Sequence, residues 1–228
     1  MNNNEVMQRL RGGLIVSCQA LPEEPLHSSY IMGRMAVAAM EGGACGIRAN
    51  SPEDIKEIRG VVDLPVIGLH KVVYPDSPVY ITPTMDEVDG LMEAGCDIIA
   101  LDATARPRPQ GVTLEQFFAA VRKKYPDQLF MADTSCFEEG LEAQRLGFDL
   151  VGTTMSGYTD YTKGRSLPDY ELMSRYVKEL RIPVIAEGGI WEIDQLSQAR
   201  AAGVWACVIG TAITRPRDIT RRFVESMK

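Results

Sequence analysis

Four matching segments constrain this chain more than any other feature of its sequence. Each has a helix-like end, a glycine and then a strand-like run: EGGACGIRA from Glu41, EAGCDIIALD from Glu93, RLGFDLVGTT from Arg145 and AAGVWACVIGT from Ala201. Their glycines, Gly43, Gly95, Gly147 and Gly203, stand 52, 52 and 56 residues apart. A period this regular, about twice the length of one strand plus one helix, means four repeats of a βαβα unit. The glycines occupy the place where a helix ends in a left-handed residue before the next strand.

Between these segments lie four more apolar runs: GLIVSC from Gly13, LPVIGL from Leu64, QLFMAD from Gln128 and IPVIAEGG from Ile182. Eight short runs rich in Val, Ile and Leu, without polar alternation, predict parallel strands buried on both faces. Helices are predicted at about 28–41, 52–59, 85–93, 114–124, 137–146, 168–179, 193–201 and 216–227, with Pro52 and Pro168 at helix starts. The pattern predicts an α/β chain, a single-domain (β/α)8 TIM barrel over residues 1–228, with residues 1–12 as a short N-terminal helix or extension. An open doubly wound sheet is the structural alternative. It usually has fewer repeats and often a Gly-rich turn after its first strand, whereas this strand runs into SCQALPEEP and no G-x-G-x-x-G or Walker sequence occurs.

Composition bears on partners. Apolar residues make up 45% and charged residues 24%, which excludes disordered, collagen-like and coiled-coil classes. A net charge of −7 repels nucleic acid and anionic lipid, so the expected partner is a small molecule, and an anionic one needs a local positive site. The N-terminus has no secretory apolar core, and the apolar runs are far shorter than the roughly 20 residues of a span. Five cysteines with no C-x-x-C pair argue against a disulfide framework or zinc knuckle. A cytoplasmic protein, bound to neither membrane nor nucleic acid, is expected. The amphipathic C-terminal string ITRRFVESMK fits packing on its own barrel, the favoured expectation, or on a second copy in a homodimer.

In such a barrel, chemistry lies at the C-terminal ends of the strands. The polar residues there are Gln19, Arg48, Lys71, Asp102, Asp133, Thr153 with Thr154, Glu187, and Gly210 with Thr211. Lys71 ends the third run and Glu187 the seventh, so they should face each other across the mouth, as the catalytic pair that removes and returns a proton at carbon. The structural alternative for Lys71 is a surface ammonium or an ion pair with Asp102. Small residues after the seventh and eighth runs, Gly188, Gly189, Gly210 and Thr211, let backbone N–H groups approach an anion closely, and Arg215 adds a fixed charge. That is where barrels of the phosphate-binding type hold phosphate. With only His27 and His70 available, no metal site is expected.

The strings LIVSCQALPEEPLHSS, GGACGIRAN, PVIGLHKVVYPDSPVYITPT, IIALDAT, MADTS, LGFDLVGTTMSGYT, VIAEGG and GTAITRP together resemble the N-acylglucosamine-6-phosphate (N-acetylmannosamine-6-phosphate) 2-epimerases of bacterial sialic acid catabolism. The similarity covers roughly residues 14–224. It implies a cofactor-free isomerase that interconverts N-acetylmannosamine 6-phosphate and N-acetylglucosamine 6-phosphate. It also implies that Lys71 and Glu187 match the family's lysine and glutamate, and that Gln19, Arg48 and Asp133 bind substrate. Thr153 is taken as a further substrate contact from its place at a strand tip. Two other functions suit the same residues: an aldolase with a Schiff base on Lys71, and a non-catalytic sugar-phosphate sensor.

Overall fold

The computed structural model describes residues 1–228, and its eight strands close into one parallel barrel in sequence order. The strands are β1 (Leu14–Cys18), β2 (Gly46–Asn50), β3 (Val66–Leu69), β4 (Ile98–Asp102), β5 (Leu129–Asp133), β6 (Leu150–Gly152), β7 (Val184–Glu187) and β8 (Ala206–Ile209). Closure is made by β8 pairing with β1, Val208 opposite Ile15. The expected strands are all present, and nearly every strand residue is buried, as two covered faces require.

The helices that alternate with them are α2 (Ser29–Glu41), α3 (Pro52–Val61), α4 (Met85–Ala94), α5 (Leu114–Lys124), α6 (Phe137–Leu146), α7 (Tyr170–Glu179) and α8 (Ile193–Ala201). Local chemistry sets their ends. Thr84 and Glu87 form a reciprocal capping box at the start of α4, and Thr113 and Gln116 do the same for α5. All four period glycines have positive φ, between 79° and 91°, so the repeat seen in sequence is a repeat of helix terminations. α7 starts two residues later than predicted, because Asp169 follows Pro168 and caps the helix by accepting from the Leu172 amide at 3.0 Å.

The expected N-terminal helix is α1 (Asn3–Leu10), whose Val6 and Leu10 join the barrel-interior cluster with Ile15, Ile67, Ile98 and Val208. α1 thus closes the end where the strands begin, leaving the other end open. A larger apolar cluster fills the layer between strands and helices.

One expectation fails at the C-terminus. β8 leads into a four-residue helix, α9 (Thr211–Thr214), and then α10 (Pro216–Glu225), which has no buried residue. Phe223 is 70% and Met227 87% exposed, so the amphipathic tail does not seal its own barrel. Its arginines reach the body instead, Arg217 to Glu24 at 3.2 Å and Arg222 to Glu192.

Candidate active site at the open mouth of the barrel

A cavity of about 340 Å³ lies at the C-terminal ends of the strands, at the small end of the roughly 300–1,000 Å³ range of small-molecule sites. Lys71 and Glu187 both line it, with Gln19, Arg48, Thr154 and Arg215. Gly188, Gly189, Gly210 and Thr211 form part of the same wall. Two of the expected residues do not line it. Asp133 is completely buried beneath Arg48, and the Thr153 hydroxyl is turned onto the backbone of Glu187, donating to its carbonyl at 2.8 Å and lying 3.1 Å from its amide. The next residue, Thr154, reaches the cavity in place of Thr153.

Charge is concentrated on one arginine. The Arg48 guanidinium meets Asp133 at 2.5 Å and 3.2 Å, and its Nη1 lies 3.1 Å from Glu187 Oε2. The Thr154 hydroxyl lies 2.7 Å from Asp133 and 3.2 Å from Glu187, tying the two carboxyl groups together. Burial pushes the Glu187 carboxyl above its usual range, Arg48 opposes this, and the Asp133 carboxylate adds to it.

Lys71 stands just beyond β3, and its amide donates to Asn50 Oδ1 at 2.8 Å. Burial and the cations Arg48 and Arg215 lower its amine from 10.5 to about 8, against the pull of Glu187 and Asp133. A neutral lysine amine at this pH is a proton acceptor matched to carbon acids. Asp102 is not its partner: that carboxylate is fully buried and occupied by Arg106 at 2.5 Å and by the Thr104 hydroxyl at 2.7 Å.

The cavity is lined by the apolar side chains of Leu69, Tyr80, Ile81 and Met155 and also holds an anion-friendly corner. Gly188 and Gly189 have φ of 110° and 72°, and the amides of Gly188, Gly189, Gly210 and Thr211 make no hydrogen bond within the protein. Arg215 is steadied by Glu24 at 3.2 Å. Gln19 donates to Ser17 at 2.8 Å, and its side-chain oxygen is buried without a partner. An unpaired buried acceptor on a cavity wall is costly unless a ligand donates to it. No cluster of three or more His, Cys, Asp or Glu side chains could hold a metal ion, and the five cysteines are unpaired. No helix is long and apolar enough to cross a membrane.

Sequence reasoning missed Tyr80, Tyr158 and Trp191, which also line the cavity. All three sit in loops, where periodicity carries no signal.

Comparison with known proteins agrees with this geometry. Residues 32–228 match the family model NanE, described as "Putative N-acetylmannosamine-6-phosphate epimerase". A Caldanaerobacter subterraneus protein named "Putative N-acetylmannosamine-6-phosphate 2-epimerase" is 53% identical over 224 residues, 98% of this chain and 94% of the relative. A Shouchella clausii protein of the same name is 54% identical over 225 residues, covering 98% and 99%. The solved structure of the N-acetylmannosamine-6-phosphate 2-epimerase from Clostridium perfringens superposes with a TM-score of 0.92 at 51% identity, covering 96% of this chain and 95% of that one.

Proposed function

The chain belongs to the N-acetylmannosamine-6-phosphate 2-epimerase family, and from that premise we propose how its cavity interconverts N-acetylmannosamine 6-phosphate and N-acetylglucosamine 6-phosphate. It is an isomerase, and its place in sialic acid catabolism follows from that chemistry. Opening the sugar ring puts a C1 aldehyde beside C2. The neutral amine of Lys71 then takes the C2 proton and becomes an ammonium, and the electron pair spreads over C2, C1 and the C1 oxygen as an enolate. Glu187, across the mouth, gives its carboxyl proton to the opposite face of C2, which inverts the centre, and the Lys71 ammonium then loses its proton to solvent as the Glu187 carboxylate regains one.

Arg48 supplies positive charge near the developing oxyanion, and Glu187, whose carboxyl burial pushes upward against the pull of Arg48, stands beside it. Asp133 acts from beneath by holding Arg48, while Gln19 and Thr154 meet the sugar hydroxyls. The amides of Gly188, Gly189, Gly210 and Thr211, with Arg215, take the 6-phosphate. This anchor supplies binding energy remote from the reacting carbon and fixes C2 over the amine. Thr153 supports the site only through the backbone of Glu187.

The observation that carries these assignments is that Lys71 and Glu187, from opposite sides of the barrel, line one cavity with the glycine-rich corner. Proton NMR of N-acetylmannosamine 6-phosphate in deuterium oxide tests it. Lys71→Ala is expected to lose both epimerisation and C2 exchange, and unimpaired exchange refutes the assigned base.

The whole chain is taken as one folding unit. The unpaired cysteines suit the reducing cytoplasm. The exposed apolar residues at the C-terminal end of the chain, Phe223 and Val224 on α10 and Met227 just beyond it, support a homodimer.

A further inference from the structure

Lys71 lies outside the strand ladder of the barrel. β3 ends at Leu69, and Lys71 is paired only by an isolated antiparallel bridge to Ile81, after the chain has run out through residues 72–80 and returned. The returning strap, residues 80–83, therefore sets where Lys71 sits. The Val72 amide donates to Tyr80 O at 3.0 Å, and the Thr82 amide donates to His70 O at 2.8 Å. The Thr82 hydroxyl accepts from the His70 amide at 3.1 Å and donates to Ala100 O on β4 at 2.8 Å. Thr82 is fully buried and holds a φ of 47°, uncommon for a β-branched residue and sustained only when its surroundings over-determine it.

Arg108 supplies that constraint from the loop after β4. Its Nε donates to Pro83 O at 3.1 Å, one terminal nitrogen to Thr82 O at 2.7 Å, and the other to Asp102 O at 2.5 Å. The guanidinium lies 4.0 Å from the ring centre of Phe117. Arg108 is 2% exposed and forms no ion pair, and burial lowers its pKa to about 10. A buried cation without a counterion is expensive. The planar guanidinium fork of Arg108 spans all three carbonyls, joining the strap to the end of β4.

We propose that Arg108 and Thr82 are positioning residues for Lys71: together they clamp the strap onto β4 and so hold the lysine at its place in the mouth. The role assigned to the clamp rests on Lys71 being the base. The charged groups facing Lys71 are Arg48 from β2, Asp133 from β5, Glu187 from β7 and Arg215 beyond α9. Loosening the strap lets the amine move towards water, and lost burial, the largest influence on it, outweighs the rest, so its pKa rises.

The test uses the intact enzyme with Thr82→Val, Thr82→Ser and Arg108→Lys. The Lys71 pKa is read directly, as the pH dependence of its acetylation by acetic anhydride measured by mass spectrometry, alongside kcat and KM. Thr82→Val and Arg108→Lys should raise the midpoint by roughly half a unit or more. They should lower kcat about tenfold or more with KM within about threefold, whereas Thr82→Ser, which restores the hydroxyl, stays like wild type. An unshifted acetylation midpoint in folded Thr82→Val overturns the clamp even if kcat falls. Failure of the base assignment is seen separately, as C2 exchange surviving in Lys71→Ala while the acetylation shifts remain.

Discussion

Arg48 holds Asp133 by two contacts, 2.5 Å and 3.2 Å, and turns the nitrogen of the longer one to Glu187 at 3.1 Å, so a wholly buried carboxylate and a cavity-lining carboxyl share one cation. Removing that cation leaves Asp133 buried and unpaired. Arg48→Met should therefore cost about 3–5 kcal/mol in urea unfolding. Adding Asp133→Leu should recover much of the stability while activity stays lost. A single variant as stable as wild type would contradict the ion-pair account.

The depressed Lys71 amine has a stability signature with a definite sign. Between about 8, its folded value, and 10.5, its usual one, the unfolded chain binds a proton that the folded chain does not. Stability then rises with pH across that window, from a full penalty below it to none above it. Wild type should gain Tm relative to Lys71→Met as pH is raised through the window. Parallel Tm profiles would show that the amine is not depressed. In catalysis the same titration makes kcat/KM climb as pH approaches 8 from below.

Adjacent threonines divide two tasks. Thr154 bridges Asp133 and Glu187, whereas Thr153 grips the Glu187 backbone. Thr154→Val should lower kcat about tenfold with little loss of stability, and Thr153→Val should cost about 1–3 kcal/mol for the unsatisfied backbone groups. Steady-state kinetics and thermal melts on the two variants check the division. A reversed outcome would restore Thr153 as the substrate contact.

That pair shows where the sequence stops being legible. Strand interiors were readable because buried parallel strands are uniformly apolar, and helix ends because residues such as Pro52 and Gly95 have local chemistry. Lys71, Arg48 and Glu187 followed from their places at strand ends. β6 ends at Gly152, so the alternation of side chains no longer says which threonine faces the cavity. Arg108 gave no signal, since its partners are three carbonyls brought together only by the fold. The amphipathic pattern of α10 showed that it has an apolar face but not what covers it.

The C-terminal helix gives a clean separation of oligomerisation from folding. Ile219 and Phe223 on α10 and Met227 just beyond its end recur every fourth residue, and none is buried. Phe223→Asp and Met227→Asp should change monomer stability by no more than about 0.5 kcal/mol, as exposed substitutions do. Light scattering should show the wild type as a dimer and the double variant shifted towards monomer. A monomeric wild type would remove the homodimer.

Two glycines with similar φ separate backbone strain from ligand binding. Gly95 ends α4 at φ 79° with nothing within 4 Å of an added Cβ, so Gly95→Ala should cost about 1 kcal/mol and leave KM unchanged. Gly189 has φ 72°, but its added Cβ would lie 2.4 Å from the Leu167 Cβ and 3.1 Å from the Leu167 carbonyl carbon. The clash is relieved only by moving the β6–α7 loop that carries Leu167 or the Gly188–Gly189 turn whose amides line the anion corner. Gly189→Ala should add an overpacking cost of about 1–3 kcal/mol. It should also raise KM for the sugar phosphate and the inhibition constant of inorganic phosphate about tenfold or more. If Gly189→Ala behaves like Gly95→Ala in both kinetics and melting, the 6-phosphate is held elsewhere.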